Sequence, residues 1–332
     1  MKRDKGKRRS STARKHAFFS LRPITFLHSL IAFSPFHLLA FSVLLLSSCA
    51  ERQEASASEA DSTAIDTTVL TVAVMPAINC LPVFYAERSG LADSMGLTMR
   101  LLRYQAQMDI DTAITCGHAD IAFTDLIRSD RLGRQGTAVK PFASVDEPLF
   151  LISQKTKRVK QVNQMKEQMI AISRLSATDF WCDRLLDETH TNYDDIYRPQ
   201  VNDVRLRAEM LRQGLVDAVI SGEPYATWLV LLGHKQLFRT KGKQPLLYVW
   251  ANISATDTQQ KTFQSLIDSA LTRMARASEA PVLRDILKTE YGLPPELADS
   301  MELQPVGHPT AIRPADTEEA AKWLNGRTKK KP

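Results

Sequence analysis

The chain has 332 residues and is 44% hydrophobic, which is enough to build a sizeable folded core. Its formal net charge is +6, but the first 48 residues contain nine Lys or Arg and one acidic residue, so the rest carries about −2. The basic character therefore belongs to the N-terminal segment, and a nucleic-acid-binding function loses its main support.

The first 48 residues are predicted to be a targeting signal rather than part of the fold. A basic head precedes an apolar run over residues 38–46, and this order is typical of a secretory signal. The run ends in Leu46-Ser47-Ser48-Cys49, which resembles the bacterial lipoprotein signal, in which the cysteine is lipidated and becomes the mature N-terminus. A transmembrane anchor is the alternative, but two histidines and a proline interrupt the longer apolar stretch.

Residues 49–67 are predicted to be a flexible tether. They are rich in Ser, Ala and Glu, a composition that cannot bury a core. Together with the preceding segment, they indicate a protein attached by lipid to a membrane of the cell envelope, outside the cytoplasm. The remaining chain, of about 265 residues, has the length of one two-lobed unit or two small domains.

The first lobe is predicted to contain strands at residues 69–74 and 98–104. An apolar helix between them ends near Gly90, and a second helix covers residues 108–115. This order of strands and helices is typical of a parallel sheet. A further strand at residues 148–153 is predicted to cross to the second lobe.

The second lobe is predicted to repeat this plan. Strands are expected at residues 169–173 and 197–201, a helix at residues 203–212, and a returning strand at residues 246–253. Three helices follow, at residues 258–275, 281–291 and 316–324. We therefore assign residues 68–150 and 250–332 to lobe I and residues 151–249 to lobe II.

One pattern occurs once in each lobe. Residues 117–124 and 214–221 both read Gly, any residue, small apolar, Asp, two apolar residues, any residue and a hydroxyl. The glycine suits the end of a helix, and the apolar residues after the aspartate suit a buried strand. Because ligands of open α/β sheets lie at the carboxyl ends of strands, the pattern favours a ligand held between the lobes.

The chain resembles the type 2 periplasmic substrate-binding proteins of ABC importers, in the branch that serves nitrate, sulfonates, taurine and thiamine pyrimidine precursors. Segments within residues 72–91, 116–122, 170–178 and 214–226 carry the resemblance. It implies an α/β fold of two hinged lobes, each a mainly parallel sheet flanked by helices, with a ligand cleft between them. It also implies a monomer that binds a small polar or anionic solute and delivers it to an ABC permease and its ATPase.

Side chains at the predicted strand ends are the candidate ligand contacts. They are Met75, Asn79, Thr124, Asp125, Arg174, Ser176, Thr178, Glu223 and Tyr225. Asn79 can donate and accept hydrogen bonds or form a structural turn. Asp125 can bind a cationic or amide group or cap the following helix.

Arg174, Ser176 and Thr178 are predicted to form an anion site. They lie at a strand-to-helix turn, where free backbone N–H groups, a hydroxyl and a guanidinium suit a negative charge. The alternative is a capped surface helix with Arg174 in solvent.

The sequence contains no motif for covalent catalysis, for a metal or for a cofactor. Cys80, Cys116 and Cys182 are expected to be buried free thiols, with a Cys80–Cys116 disulfide as the alternative. Two other functions stay open: an enzyme of the same fold that acts on a small metabolite, and a sensory or scaffold lipoprotein without a permease.

Overall fold

The computed structural model of the protein describes residues 69–241, 244–302 and 305–329, with the backbone alone at the last two positions. The predicted signal peptide, the tether and Cys49 lie outside these ranges. None of the helices within them is both long enough and apolar enough to cross a bilayer.

The described residues form nine strands. In chain order they are β1 (Leu70–Val74), β2 (Met99–Arg103), β3 (Ile121–Asp125), β4 (Lys140–Ser144), β5 (Phe150–Ser153), β6 (Ile170–Ala171), β7 (Ala218–Ser221), β8 (Lys235–Arg239) and β9 (Tyr248–Asn252).

They also form eleven α-helices, which flank the strands. In chain order these are α1 (Leu81–Arg88), α2 (Leu91–Ser94), α3 (Gln107–Thr115), α4 (Leu126–Arg134), α5 (Ala177–Glu188), α6 (Val204–Arg212), α7 (Tyr225–Leu231), α8 (Asp257–Met274), α9 (Ala280–Thr289), α10 (Pro295–Ser300) and α11 (Pro314–Lys329).

The strands form two mixed sheets. The sheet of lobe I has the order β2-β1-β3-β9-β4, and that of lobe II has the order β6-β7-β5-β8. In lobe I, β1 pairs in parallel with β2 and β3, whereas β9 is antiparallel to β3 and β4. In lobe II, β6 is parallel to β7, and β5 is antiparallel to β7 and β8. The α/β class predicted from the sequence is confirmed, but the sheets are mixed rather than mainly parallel.

Two crossovers join the lobes and explain the antiparallel strands. The chain leaves β4 of lobe I and enters β5 of lobe II, and it returns from β8 to β9. Each arriving strand therefore runs against its new neighbours. The predicted strands at residues 148–153 and 246–253 correspond to β5 and β9. Each of these strands belongs to the sheet of the lobe that the chain enters. Phe150 therefore pairs with Ser221 of lobe II, although it was assigned to lobe I.

Other predicted elements differ in detail. Residues 197–201 form only isolated bridges, of Tyr197 with Met169 and of Gln200 with Ile172. Strands β4 and β8 and helix α7 were not predicted. Both strands begin with a lysine at an edge of their sheet, and such edge strands lack the continuous apolar pattern of buried ones.

The cysteines are all free in the described part of the chain. Cys80 and Cys182 are buried, as predicted, but Cys116 is exposed, so its predicted burial is wrong. The reason is local: Cys116 follows the last residue of α3, just before Gly117, whose φ of 66° ends the helix.

The lobes share their hydrophobic core. One buried cluster combines Leu126 and Ile127 of α4 with Phe180 of α5 and Ile220 of β7. Helix α11 packs against both lobes, because its Asn325 accepts a hydrogen bond from Arg134 of α4 at 2.6 Å and its Trp323 donates to Asp183 of α5 at 2.8 Å. The lobes are therefore in contact with each other in this structure.

Candidate functional site between the lobes

Asp125 lies where lobe I meets lobe II. It ends β3, and its Oδ1 accepts a hydrogen bond from the backbone N–H of Arg128 at 2.9 Å, so it caps α4. Its Oδ2 accepts a longer bond from the N–H of Ala177, at the start of α5, at 3.4 Å. Burial raises the pKa of Asp125 from 3.8 to about 6, although the charge of Arg128 lowers it.

Arg128 makes the second link between the lobes. Its side chain is only 3% exposed and pairs with Asp111 of α3 and, at 3.6 Å, with Asp125. Its Nη2 donates to Ser173 Oγ of lobe II at 2.8 Å. A buried cation of lobe I is thus bonded to the loop that precedes α5.

Glu147 lies on the first crossover and is also buried. Its Oε2 accepts hydrogen bonds from Asn79 Nδ2 at 2.8 Å and from the Asn79 backbone at 3.3 Å. A Cβ added at Gly222 would lie 2.6 Å from Glu147 Oε1, so the glycine after β7 permits this close approach. Burial raises the pKa of Glu147 from 4.5 to about 8, which favours the neutral acid at pH 7.

Arg207 of α6 enters the same region from lobe II. It is 2% exposed, and its Nη1 donates to the carbonyl of Val201 at 2.9 Å. Its Nε is buried without a hydrogen-bond partner among the described residues. Burial lowers the pKa of Arg207 to about 10, and the charge of Arg128 acts in the same direction.

Tyr248, the first residue of β9, is affected by the charges of these groups. Its ring stacks on Phe123 of β3 with centroids 5.5 Å apart. Burial raises the pKa of Tyr248, and the carboxyl groups of Asp125 and Glu147 act in the same direction. The charges of Arg207 and Arg128 oppose this effect, so all four ionisable groups lie near the phenol.

We call Asp125, Arg128, Glu147, Arg207 and Tyr248 the cleft cluster. Its members come from both lobes and from the first crossover. Two guanidinium groups, two carboxyl groups and a phenol provide donors and acceptors for a small polar solute. Within the described ranges, no three His, Cys, Asp or Glu side chains gather as a metal site.

The predicted anion site at the start of α5 is bonded within the protein. Ser176 caps the helix, because its Oγ accepts from Thr178 N at 3.2 Å. Thr178 Oγ1 accepts from Ser173 N at 2.9 Å. Asp125 takes the N–H of Ala177, and the Arg174 side chain is exposed. A ligand role for these residues stays a prediction.

The remaining predicted contacts are all buried. Thr124 pairs with Val249 and Asp125 with Tyr248, so Thr124 and Asp125 point to opposite faces of the sheet. Met75 belongs to the hydrophobic core.

Glu223 and Tyr225 follow β7 and also have partners inside the protein. Glu223 accepts from the N–H and the hydroxyl of Thr227, both at 3.0 Å. Tyr225 donates to the carbonyl of Tyr291 at 2.8 Å. Their contact with a solute stays a prediction.

Four members of the cleft cluster were not among the predicted ligand contacts: Arg128, Glu147, Arg207 and Tyr248. A signal was present for one of them. Arg207 shares the buried face of α6 with Ala208 and Leu211, and an arginine within an apolar stripe is unusual. Glu147 gave no such signal, because it lies between two predicted elements.

An open groove lies elsewhere, between α5 and α11. It has a volume of about 1070 Å³, and its lining includes Phe180, Tyr193 and Trp323. The arginine beside it is paired: Arg327 lies 2.9 Å from Asp179, and its guanidinium lies 4.7 Å from the Tyr193 ring centroid. We therefore place the candidate site at the cleft cluster, where buried polar groups lack partners.

The fold is the two-lobed fold of periplasmic binding proteins, as predicted. The alkanesulfonate-binding protein SsuA from Xanthomonas axonopodis pv. citri, bound to MOPS, superposes with a TM-score of 0.64 at 16% identity, over 79% of this chain and 91% of that one. The aliphatic sulphonate binding protein SsuA from Escherichia coli superposes with a TM-score of 0.64 at 15% identity, over 79% of this chain and 88% of that one. The nitrate-binding protein NrtA from Synechocystis PCC 6803 superposes with a TM-score of 0.60 at 15% identity, over 70% of this chain and 69% of that one.

The sequence itself carries a family signature across both lobes. Residues 77–236 match the family model described as NMT1/THI5 like. The matched range contains Asn79, Asp125, Arg128, Glu147 and Arg207, whereas Tyr248 lies beyond it. No curated protein sequence matches the chain.

Proposed function

We propose that the protein is the solute-binding component of an ABC uptake transporter. It binds a small solute between its lobes and presents it to a permease outside the cytoplasm. The observation that carries this proposal is the cleft cluster, in which polar groups of both lobes are buried together and Arg207 Nε has no partner within the described ranges. The fold and the NMT1/THI5-like region support the same function.

The solute classes bound by structurally similar proteins narrow the choice. Alkanesulfonate and nitrate are the ligands that their names give. For this chain we propose a sulfonate, nitrate or a thiamine pyrimidine precursor. These candidates are all small enough to be enclosed by two lobes.

The proposal includes binding without chemical conversion. The solute favours the closed arrangement of the lobes, because only that arrangement lets both lobes contact it. Cys49 anchors the protein by its lipid, and residues 49–67 give the lobes reach towards the permease. One acyl chain holds a protein only marginally, so stable anchoring takes more than one.

Calorimetry and thermal unfolding of the purified protein test the function. The probes are taurine, methanesulfonate, nitrate and a hydroxymethylpyrimidine. A true solute raises the melting temperature, since a ligand that binds only the folded state at one hundred times its Kd stabilises that state by about 2.7 kcal/mol. Product formation from a bound probe would instead support the enzyme alternative.

A further inference from the structure

Arg207 is a buried cation without a buried anion to match it. Its side chain is 2% exposed. In the described part of the chain no carboxylate lies within ion-pair distance of it, although the charge of Asp203, which caps the same helix, acts on it. Other buried arginines differ in this respect: Arg128 pairs with Asp111, and Arg198 lies 3.2 Å from Asp179. Burying an unpaired charge costs free energy. An anionic ligand that pairs with Arg207 would therefore remove a desolvation cost from the folded protein.

The guanidinium of Arg207 also has unused hydrogen-bonding capacity. One nitrogen, Nη1, donates to the carbonyl of Val201, while Nε is buried with no acceptor. Guanidinium groups bind carboxylate, sulfonate or phosphonate groups through two parallel N–H donors. The free Nε requires an acceptor, and an oxyanion would supply that acceptor together with the negative charge that the buried guanidinium lacks.

The surroundings of Arg207 favour a negative ligand as well. Helix α6 begins against lobe I, because Asp203 bridges Ala106 and Val204 N donates to the Gln105 carbonyl at 3.3 Å. The charge of Arg128, whose Nε lies 3.6 Å from Asp125 Oδ2, also acts on Arg207. The charges of both arginines act on Tyr248, which pairs with Asp125 in the sheet. Glu147, the nearby acid on the crossover, is held by Asn79 in an environment that favours its neutral form.

We infer that the solute carries an oxyanion group, and that Arg207 binds this group in the cleft with Arg128 and Tyr248 beside it. This inference rests on the proposed function and selects organic or inorganic anions over pyrimidines. It assigns anion binding to Arg207, whereas the sequence suggested that role for Arg174. An anion held between Arg207 of lobe II and Arg128 of lobe I would also join the lobes.

The test measures binding of taurine, methanesulfonate, nitrate and a hydroxymethylpyrimidine to four proteins by calorimetry. These are the wild type, Arg207→Gln, Arg174→Ala and Arg212→Gln. Arg212 is the control, because it lies on the same helix but pairs with Glu209 at the exposed surface. We expect an anion to bind the wild type, and Arg207→Gln to weaken it about tenfold to a hundredfold, the usual effect of losing a charged hydrogen bond. Arg212→Gln is expected to leave the affinity unchanged.

Arg207→Lys covers the case in which the glutamine variant does not fold. It keeps the charge but lacks the flat fork of donors, so we expect the anion to bind more weakly than to the wild type. Preference for the pyrimidine, or equal anion affinity in the wild type and in both folded Arg207 variants, would overturn the inference while leaving a solute-binding function intact. A larger loss in Arg174→Ala than in the Arg207 variants would also overturn it. If no probe binds the wild type, the proposed function fails and the inference fails with it.

Discussion

Arg128 donates a hydrogen bond across the cleft to Ser173, with 2.8 Å between Nη2 and Oγ. The two residues belong to different lobes, and Ser173 Oγ also lies 2.8 Å from Asn202 Oδ1. The bond can exist only while the lobes are together. It therefore stabilises the closed arrangement, and its loss shifts the balance towards an open one.

We predict that Ser173→Ala opens the lobes and weakens solute binding. A hydrogen bond to a charged group contributes about 1.5–3 kcal/mol, so the apparent affinity is expected to fall by roughly tenfold or more as the closed fraction drops. Small-angle scattering of the solute-free protein measures the opening as a larger radius of gyration. Ser129→Ala is the control, since Ser129 is also buried on α4 but its hydroxyl has no partner in the described residues. Identical scattering curves for Ser173→Ala and wild type would show that this bond does not hold the lobes together.

The crossover acid Glu147 gives a prediction about pH. Its pKa in the folded state, about 8, lies above its ordinary value of 4.5, so the folded protein binds this proton more tightly than the unfolded chain does. The resulting stability is fully present below pH 4.5 and is lost as the pH rises through 8. Glu147→Gln keeps a neutral, isosteric group and removes this loss.

We therefore expect Glu147→Gln to flatten the fall in unfolding free energy between pH 5 and pH 8, by on the order of 1 kcal/mol per pH unit. Chemical denaturation at four pH values across this range measures the slope. Glu209→Gln is the control, because Arg212 lowers the pKa of Glu209, which titrates below this range. A Glu147→Gln variant with the wild-type slope would mean that Glu147 is ionised in the folded protein at neutral pH.

Arg198 carries a prediction about stability in lobe II. Its Nη1 lies 3.2 Å from Asp179 Oδ1, and its guanidinium lies 3.4 Å from the Tyr193 ring centroid. We expect Arg198→Ala to lower the unfolding free energy by about 2–4 kcal/mol, somewhat less than for a wholly unpaired buried charge, because Arg327 still contacts Asp179. Denaturant unfolding measures this. Arg212→Ala, which breaks a surface pair, is expected to cause no measurable change in the unfolding free energy. If both substitutions lowered the unfolding free energy equally, burial of the Arg198 pair would not explain its contribution to stability.

Most of the fold was predictable from the sequence, whereas most of the cleft cluster was not. Apolar periodicity and helix-ending glycines such as Gly117 depend on neighbours in the chain, so they located strands such as β1, β2 and β3, although residues 197–201 form only isolated bridges. The cleft cluster depends on contacts between distant segments: Glu147 meets Asn79 across 68 positions of sequence. Asp125 was found because it ends a strand. Arg207 was missed because an arginine inside a helix is normally assigned to the exposed face.

The lipid anchor is a separate prediction that the motif Leu46-Ser47-Ser48-Cys49 motivates. Mass spectrometry of protein extracted from its own membranes is expected to show loss of residues 1–48 and acylation of Cys49. A Cys49→Ala form is expected to stay unprocessed and without lipid. Processing at the same bond, followed by acylation of that variant, would rule out Cys49 as the anchor.

The account's central claim is that a small anionic solute is enclosed between the lobes. Its most direct test is a crystal structure of the protein with the probe that binds it best in calorimetry. We predict solute density inside the cleft, with an oxyanion within about 3 Å of the Arg207 guanidinium and with both lobes in contact with the solute. Solute density in the groove between α5 and α11, or a neutral solute that leaves Arg207 without a partner, would contradict the account.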